Sequence, residues 1–551
     1  MRTELLTTIS LLFIFFSTMN PSSAQLSWLF SLLYLSVAMA LLALRFLLKR
    51  HAHDARRRVN GGAGGGAIPG PRGWPLLGSL PAVSGPLMHR RLAALADAHG
   101  DRRLMSLSLG ATPVVVSSHP ETAREILAGA AFRDRPAKAA ARELMFCRSI
   151  GFAPAAAGAD GYWRLLRRAA GAGMLSPRRV AALAALRARV ADRMSKNVSL
   201  HVAAGQASSM RALLQAASLD NMVGSVLGLE QHPQQQEEDG RHGGSSMSMS
   251  MVIKEMGEMV KEGYELVGMF NLGDHFSSSM WLWGLLDFHG VGPRCQRLAA
   301  RVRVLFGRVV EERRRINKDE LHKMDDLLSY MVAMPEDERL QDSDLIAVLW
   351  EMIFRGTDVV AILLEWALAR MVLHPDIQSK VQQELDMVVG HRPMVDSDIP
   401  NLPFLHCVIK ETLRMHPPGP LLSWARLAVQ DVRVGKYFVP AGTTAMVNMW
   451  AISHDETIWG DPWVFRPERF MEEDVNVLGS DLRLAPFGSG RRVCPGRMMG
   501  LSTAYLWFGR LLQEYKWLMA QPVKLAECLR LSMEMKKPLV CRAVHRNKTV
   551  Y

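Results

Sequence analysis

Hydrophobic residues dominate the first part of the chain and predict a membrane anchor. Residues 26–44 form a run of 19 positions without a charged residue. A helix of that length spans about 28 Å, close to the roughly 30 Å hydrocarbon core of a bilayer. Basic residues follow at positions 49, 50, 56, 57 and 58, and such residues face the cytosol. We therefore predict a transmembrane anchor at residues 26–48, with the bulk of the chain in the cytosol.

The segment before the anchor, residues 1–25, is hydrophobic, and its topology stays open. Its apolar stretch at residues 5–16 is too short to span a bilayer comfortably. It fits the core of a signal peptide with a small-residue cleavage site at Ser22 and Ala24, and equally a luminal or interfacial extension of the anchor. A cleaved signal before a stop-transfer helix, a single signal anchor and a two-helix hairpin all leave the bulk of the chain cytosolic.

The patterns after the anchor predict one large domain reached through a stiff linker. Residues 49–75 are basic and then proline-rich. Because prolines fix φ and oppose helix formation, this segment predicts a linker and hinge. Residues 76–551 contain no further linker and predict a single cytosolic domain. Within it, residues 232–251 lack the hydrophobic residues of a core and predict a mobile insertion.

Helical periodicity prevails in this domain, with short strand-like stretches between the helices. The longest predicted helix runs from Ser343, a suitable N-cap, to His374, because Pro375 stops it. A shorter helix occupies residues 403–416. Alternating or β-branched stretches predict strands and one hairpin at residues 104–109, 114–118, 427–434 and 444–447. The predicted fold class is therefore mainly α with small β-sheets (α+β).

Composition and charge narrow the classes of partner. The chain has 551 residues and a formal net charge of +13, which suits contact with anionic lipid headgroups or an acidic protein. It contains no basic–aromatic array or nucleic-acid recognition motif, so nucleic acid is not predicted as a partner. The six cysteines lie scattered without the spacing of a disulfide framework, as in proteins of a reducing compartment.

One ten-residue stretch, FGSGRRVCPG at residues 487–496, carries the strongest chemical signal. Cys494 stands between a glycine-rich turn and a predicted helix over residues 498–512, and Pro495 suits the first helical position. Backbone N–H groups and the helix dipole favour a thiolate at such a helix start. A buried thiolate needs a positive centre beside it, which a metal supplies.

The spacing of the cysteines favours haem iron over zinc. No second cysteine lies within four positions of Cys494, which disfavours a structural zinc site. A single axial thiolate on haem iron promotes O–O cleavage. Gly488, Gly490 and Gly496 would let the backbone approach the porphyrin, and Arg492 would reach a propionate. A surface loop with an inert cysteine is the alternative, and it suits a lone cysteine better than the whole string.

The chain resembles the cytochromes P450 in several motifs. Their haem-binding signature is matched at Phe487, Gly490, Arg492, Cys494 and Gly496. Further motifs stand in the order and at the distances of that family: Trp163 with Arg167, Glu411 with Arg414, and the segment 465–470 that contains Arg469. The resemblance covers about residues 68–545. The segments FRGTD at 354–358 and SWARLAVQDV at 423–432 are most similar to the plant family numbered 78.

This resemblance implies a cytochrome P450 fold behind the N-terminal anchor, with a haem b cofactor and Cys494 as its axial thiolate ligand. Trp163 and Arg167, four apart on one helix face, would grip one propionate, with Arg426 and Arg492 as further donors. Taken alone, Trp163 and Arg167 equally fit a cation–π pair on a surface helix.

Glu411 and Arg414 are three apart on a predicted helix and share a face. An exposed pair of this kind contributes under about 1 kcal/mol. Apolar neighbours indicate that this pair is partly buried and needs a third member, for which the candidate is Arg469. The implied role is structural, because the network would hold the loop that carries Cys494.

Gly356, Thr357 and Asp358 resemble the oxygen-activation segment of the family. The resemblance implies that Gly356 lets the helix widen for O2 and that Asp358 relays protons. An alcohol usually follows this acid, whereas this chain has Val359, which has the shape of threonine without a donor or acceptor. Thr357 lies about 100° round the helix and is too far to replace it. Either a water or a substrate hydroxyl takes over, or turnover is poorly coupled and releases peroxide.

Apolar side chains near these motifs are candidates for the substrate pocket, although core packing is the usual place of a single apolar residue. The candidates are Met145, Phe146, Phe354, Leu421, Leu422, Leu531 and Met533. As a set they indicate an apolar substrate without identifying it.

The activity that the resemblance implies is that of a membrane-anchored monooxygenase. It would hydroxylate an apolar, lipid-like molecule connected with plant organ growth. The reaction would use O2 and electrons that NADPH supplies through cytochrome P450 reductase, with cytochrome b5 as an alternative donor. An acidic electron donor would dock on a basic face formed by Arg164, Arg168, Arg491 and Arg497, although scattered arginines equally fit a solvated surface. The expected location is the endoplasmic reticulum membrane, with a single span.

Two other functions stay open. One is a haem-thiolate isomerase or dehydratase that rearranges peroxides without O2, which Val359 mildly favours and Gly356 and Asp358 oppose. The other is a haem-binding protein with little turnover. Substrate-dependent consumption of NADPH separates the monooxygenase from the isomerase or dehydratase. For the haem-binding protein, Val359→Thr should not restore any product formation.

Overall fold

The computed structural model describes residues 67–546 apart from 76, 137, 147, 156–159, 231–248, 276–286, 288 and 423, and also residues 35, 36 and 39. The predicted segment 1–25, most of the anchor at 26–48, the linker before residue 67 and most of the insertion at 232–251 lie outside these residues. Within the described residues, no helix combines the length and the apolar character that crossing a bilayer requires. The last residues of the predicted insertion, 249–251, begin a helix.

Helices make up most of the described domain, as the periodicity predicts. In chain order they are α1 Leu80–Val83, α2 Met88–Ala98, α3 Pro120–Ala128, α4 Ala139–Leu144, α5 Asp160–Ala170, α6 Pro177–Ala182, α7 Ala184–Ala203, α8 Met210–Leu227, α9 Met249–Gly268, α10 Val291–Arg314, α11 Lys318–Leu321, α12 Leu327–Val332, α13 Asp342–Leu373, α14 Pro375–Val388, α15 Pro403–Met415, α16 Met449–Ser453, α17 Glu456–Trp459, α18 Arg469–Glu472 and α19 Arg497–Glu514.

Short strands form small sheets beside the helices. In chain order they are β1 Met105–Leu109, β2 Thr112–Ser117, β3 Ser208–Ser209, β4 Arg426–Leu427, β5 Val432–Val434, β6 Tyr437–Val439, β7 Thr444–Val447, β8 Tyr515–Met519, β9 Glu527–Leu529, β10 Met533–Met535 and β11 Val540–His545. The largest sheet of the described chain has the order β1-β2-β7-β4. The predicted hairpin is confirmed, since β1 and β2 pair antiparallel. The predicted class of a helical fold with small sheets is confirmed as well.

Helix α13 runs through the core and is buried along most of its length. It begins at Asp342, one residue before the predicted cap Ser343. The reason is that Gln341 has an extended backbone, with a ψ of 155°, while Asp342 and Asp344 place carboxylates in the first turn, where the helix dipole favours them. The helix ends before Pro375, as predicted.

The proline-rich segment packs on the domain, which therefore begins before the predicted boundary at residue 76. Ile68 is 3% exposed. The backbone N–H of Ser106 donates to the Pro69 carbonyl at 2.8 Å, and its hydroxyl donates to the Ile68 carbonyl at 3.0 Å. A Cβ on Gly70 would lie 1.8 Å from the Ser106 carbonyl oxygen, so only glycine fits there. This part of the predicted hinge thus follows the edge of strand β1.

Candidate active site

Cys494 lies in a tight loop just after the 3-10 turn Gly490–Arg492. The loop closes on itself, because the Cys494 backbone N–H donates to the Phe487 carbonyl at 2.9 Å. Gly490 has a φ of 68°, and a Cβ there would lie 2.3 Å from the Leu127 carbonyl oxygen. A side chain at this position would therefore push the loop away from helix α3.

Helix α19 begins later than the proline predicts. Its first residue is Arg497 and its N-cap is Gly496, so Pro495 lies in the turn before the helix instead of at its first position. A Cβ on Gly496 would meet nothing closer than 4.0 Å. The neighbouring protein atoms would therefore leave room for a side chain at this position. That Gly496 lets the backbone approach the cofactor closely stays a prediction.

The protein alone does not make Cys494 a thiolate. Burial raises the pKa of the thiol, and this effect exceeds the lowering by the Gly496 N–H group and by the charges of Arg355 and Arg167. The Gly496 backbone N–H lowers the pKa of the thiol, as predicted for a helix start, but burial outweighs this effect. A metal ion bound to the sulfur would supply the positive charge that is still needed.

Arginine side chains cluster around the cysteine loop. The members are Arg135, Arg167, Arg355, Arg426 and Arg492, and their charges act on one another. Burial and the repulsion by neighbouring arginines lower the pKa of Arg426 to about 9. Burial is also the main reason why the pKa of Arg492 falls to about 10, and it lowers the pKa of Arg135 far below its ordinary value. The arginines of this region therefore carry more positive charge than the nearby carboxylates neutralise.

The unpaired atoms of this arginine cluster fit a group that carries carboxylates. Nε of Arg135 and Nη1 of Arg355 are buried without a hydrogen-bond partner. Two carboxylates of the region, Asp134 and Glu351, already accept bonds from backbone N–H groups, and Asp134 lies 3.8 Å from Arg492. Buried charges without partners are costly. The propionates of a haem would supply the missing negative charge, so the residues present fit this cofactor.

Trp163 and Arg167 share a face of α5, as predicted, but the indole N–H is used within the protein. It donates to the Ile150 carbonyl at 3.0 Å. Arg167 lies 5.5 Å from the indole ring and donates to the Val493 carbonyl at 2.9 Å. In this geometry Trp163 holds the segment at Ile150, and its predicted role toward a propionate stays a prediction.

Arg492 fastens the cysteine loop to neighbouring segments. Its three nitrogens donate at 2.7–3.0 Å to the backbone carbonyls of residues 133, 150 and 153. Arg426 donates to the Ser489 carbonyl at 3.3 Å. The unpaired donors of the cluster belong instead to Arg135 and Arg355, which the sequence analysis does not single out. In the sequence, Arg135 lies in the FRDRP stretch at 132–136 and Arg355 lies in FRGTD at 354–358. These positions were the only sequence feature that could have pointed to the two residues.

Glu411, Arg414 and Arg469 form the predicted three-membered network. Their side chains are 0%, 0% and 6% exposed. Arg414 donates to Glu411 at 2.7 and 2.9 Å, and Arg469 donates to it at 3.2 Å. The backbone N–H of Arg466 adds a fourth bond to Glu411 at 2.9 Å. The network joins α15 to α18 and to the segment before α18, and its role in supporting the cysteine loop stays a prediction.

The middle of α13 is more exposed than the parts of the helix directly on either side of it. Residues 355, 356 and 358–360 are partly exposed, whereas the helix on both sides is buried. Thr357 is buried, and its hydroxyl donates to the Ile353 carbonyl of the same helix at 2.7 Å. Asp358 accepts a hydrogen bond from Gln215 at 3.0 Å. Burial raises the pKa of Asp358 to about 6, so this carboxyl can exchange a proton near neutral pH.

Gly356 is required by helix packing. Helix α13 is continuous through it, without the widening that the resemblance implies. A Cβ on Gly356 would lie 2.5 Å from the Met222 side chain of α8. The glycine therefore lets α8 approach α13 closely.

Replacing Gly356 with alanine is expected to destabilise the protein by about 1 kcal/mol. Overpacking against Met222 costs about 1–3 kcal/mol, and the better helix propensity of alanine returns up to about 1 kcal/mol. Thermal unfolding of Gly356→Ala, of Met222→Ala and of the double variant measures the change in stability and the coupling between the two sites. The control is Gly307→Ala in α10, where a Cβ meets nothing within 4 Å and stability should rise. A cycle without coupling between the two sites would contradict the packing explanation.

Several predicted pocket residues are core residues in the structure. Phe354 has no exposed surface and packs on Tyr264 with ring centroids 4.7 Å apart. Met533 is also fully buried, and Met145 and Leu531 are 1% and 7% exposed. The periodicity of a helix or strand shows which side of the element is buried. It does not show whether that side faces a pocket or the core, so the sequence could not separate pocket residues from core residues.

The other pocket candidates are partly exposed. Leu421 and Leu422 lie after the α15 helix, and Leu422 has a φ of 56°. Phe146 lines a cavity of about 350 Å³, and the guanidinium of Arg303 lies 4.6 Å from its ring. This cavity is lined largely by charged side chains, which differs from the apolar pocket that the sequence predicts.

The arginines of the predicted docking face lie on and beside the cysteine loop. Arg168 on α5 forms an exposed ion pair with Glu338 at 3.4 Å. Arg491 lies 5.7 Å from the Trp163 ring. Arg497 donates to the Cys494 carbonyl at 3.3 Å. Their docking role stays a prediction.

Comparison with known proteins agrees with this site. The family model described as Cytochrome P450 matches residues 68–542. Cytochrome P450 78A5 of Arabidopsis thaliana is 48% identical over 488 residues, covering 87% of this chain and 89% of the relative. Cytochrome P450 78A11 of Oryza sativa subsp. japonica is 45% identical, covering 89% and 88%. Flavonoid 3'-monooxygenase CYP75B3 of the same species is 34% identical, covering 89% and 94%. The chain belongs to the cytochrome P450 monooxygenase family.

Proposed function

We propose that the protein hydroxylates an apolar, lipid-like small molecule with O2 and with electrons from NADPH. The observation that carries the proposal is the excess of buried, partly unpaired arginines around the Cys494 loop, which suits a haem with its propionates. When bound through a cysteine thiolate, haem supplies the oxygen-activating chemistry. The family membership supports this activity, while the substrate class and a connection with plant organ growth rest on the resemblance of residues 354–358 and 423–432 to the plant family numbered 78.

The residues of the chain divide the remaining tasks. Cys494 would hold the haem iron through its sulfur, and the tight turn at Gly490 fixes the position of the loop. Arg135 and Arg355 would bind propionates through their unpaired N–H groups. Asp358 would hold and release the proton, since its pKa is raised to about 6 by burial.

Electron supply and location complete the proposal. NADPH–cytochrome P450 reductase would deliver electrons to the basic face at Arg164, Arg168, Arg491 and Arg497, with cytochrome b5 as an alternative donor. The hydrophobic residues 26–48 support a single-span anchor in the endoplasmic reticulum membrane, with the catalytic domain in the cytosol.

The test uses membranes that contain the full chain and the reductase. We expect NADPH consumption that depends on added lipid-like substrate, with a product that gains one oxygen atom from ¹⁸O₂. The Cys494→Ala variant is the matched control and should form no such product. Rearrangement or dehydration of an organic peroxide itself, without O2 or NADPH, would instead support an isomerase or dehydratase, which Val359 mildly favours and which Gly356 and Asp358 oppose.

Replacing Val359 with threonine is expected to improve coupling. A threonine hydroxyl adds one donor and acceptor where the chain has none. If it forms one hydrogen bond worth about 1 kcal/mol, the ratio of product to peroxide should rise about fivefold. Peroxide and product formed per NADPH measure this ratio, and Val360→Thr is the matched control. An unchanged ratio would show that a water or substrate hydroxyl already serves this position.

A further inference from the structure

Gln215 on helix α8 contacts Asp358 across a helix interface. Its Nε2 donates to Asp358 Oδ1 at 3.0 Å, although the two residues are 143 positions apart. The two helices approach closely because Gly356 admits Met222. Residues 215 and 222 are seven positions apart and therefore share one face of α8. The packing that requires Gly356 thus also places the amide against the carboxylate.

Charged and titratable groups from each neighbouring element act on Asp358. Burial raises the pKa of the carboxyl, and the hydrogen bond from Gln215 is the largest effect that lowers it. Glu534 of β10 raises the pKa further, while Arg211 of α8 and Arg355 of α13 lower it. Tyr264 of α9 responds to the same charge, since burial and then Asp358 raise the pKa of its phenol. Together these opposing effects leave the pKa of the Asp358 carboxyl at about 6, close to neutral pH.

This charge environment continues to the surface. Arg211 pairs with Glu365 at 2.9 Å and with Glu534 at 3.3 Å. Glu534 also pairs at 3.2 Å with Arg530, whose side chain is 72% exposed. The acid on the central helix is therefore linked electrostatically to an ion-pair network that reaches solvent beside β10.

We propose that Gln215 is a positioning residue of the monooxygenase reaction, whose amide holds the Asp358 carboxyl in place and keeps it able to both take up and release a proton. The inference rests on the proposed function, because it assumes that Asp358 transfers protons. A lysine or arginine at position 215 would hold the carboxyl permanently ionised, and an apolar residue would let it stay protonated. The neutral amide avoids both. This matters more in a chain whose residue 359 is a valine without a hydroxyl.

The test compares Gln215→Met, which keeps length and helix propensity but removes the N–H donor, with Glu534→Gln, which removes a negative charge. The full-length haem-loaded protein in lipid nanodiscs is titrated by infrared difference spectroscopy, and the Asp358 band is assigned by its loss in Asp358→Asn. We expect the wild-type carboxyl to titrate near pH 6. Gln215→Met should move this value up by about one pH unit, and Glu534→Gln should move it down by roughly half a unit.

Opposite shifts, with an equal displacement of the acidic limb of the pH–rate profile, would support the proposal. An unchanged titration in Gln215→Met would overturn it. Shifts in the same direction in both variants would also overturn it, because they would indicate general loosening of the site. The titration needs no turnover, so a wild-type protein that forms no product would contradict the monooxygenase proposal separately from this one.

Discussion

Replacing Cys494 with alanine is expected to abolish product formation and to remove the thiolate from the haem site. Alanine lacks a ligand atom, and other side chains of the cysteine loop do not offer a replacement thiol. The arginine cluster is unchanged, so the variant would still hold the haem propionates while lacking the sulfur that would bind the iron. Absorption spectra of the purified variant and product analysis with reductase measure both effects.

The control for this variant is Cys295→Ala in helix α10, which removes the thiol of a buried core cysteine. It should keep the wild-type spectrum and wild-type turnover. Product formation by Cys494→Ala at more than about a thousandth of the wild-type rate, a barrier increase of about 4 kcal/mol, would contradict the assignment of the ligand.

Replacing Glu411 with glutamine is expected to destabilise the protein by about 3–5 kcal/mol, the usual cost of leaving a buried charge without its partner. Glu411 accepts four hydrogen bonds, two of them from Arg414, which is fully buried. A neutral amide leaves the charges of Arg414 and Arg469 uncompensated. Urea-induced unfolding, followed by tryptophan fluorescence and by haem absorbance, measures the loss.

The matched control is Glu472→Gln, which breaks the exposed pair with Arg466 at 3.4 Å. An exposed pair contributes under about 1 kcal/mol, so the control should unfold almost as the wild type does. Equal effects of the two substitutions would contradict a structural role for the buried network.

The sequence predicts most of the helical framework and the identity of the cysteine loop. The spacing of Glu411 and Arg414 places both residues on one helix face in any fold. Prolines shortly after α13 and α15 determine where these two helices end. Family resemblance adds Arg469, which lies 58 residues from its partner Glu411. These features are local, or are carried by motifs of fixed order.

Contacts between distant segments could not be predicted from the sequence. Gln215 meets Asp358, and Arg135 joins the arginine cluster, only after the chain folds. Trp163 finds its hydrogen-bond partner in the Ile150 carbonyl, an acceptor that every residue possesses and that no motif reveals. Phe354 shows the same limit for apolar residues, because hydrophobicity alone does not separate a pocket wall from the core.

The ferrous–carbon monoxide spectrum of the full-length protein tests the central claim most directly, because it reports the atom that binds the iron opposite the carbon monoxide. If Cys494 is a thiolate ligand, the Soret band is strongly red-shifted, and Cys494→Ala loses this shift. A spectrum without the shift in freshly reduced wild-type protein, or the same shifted band in the alanine variant, would contradict it.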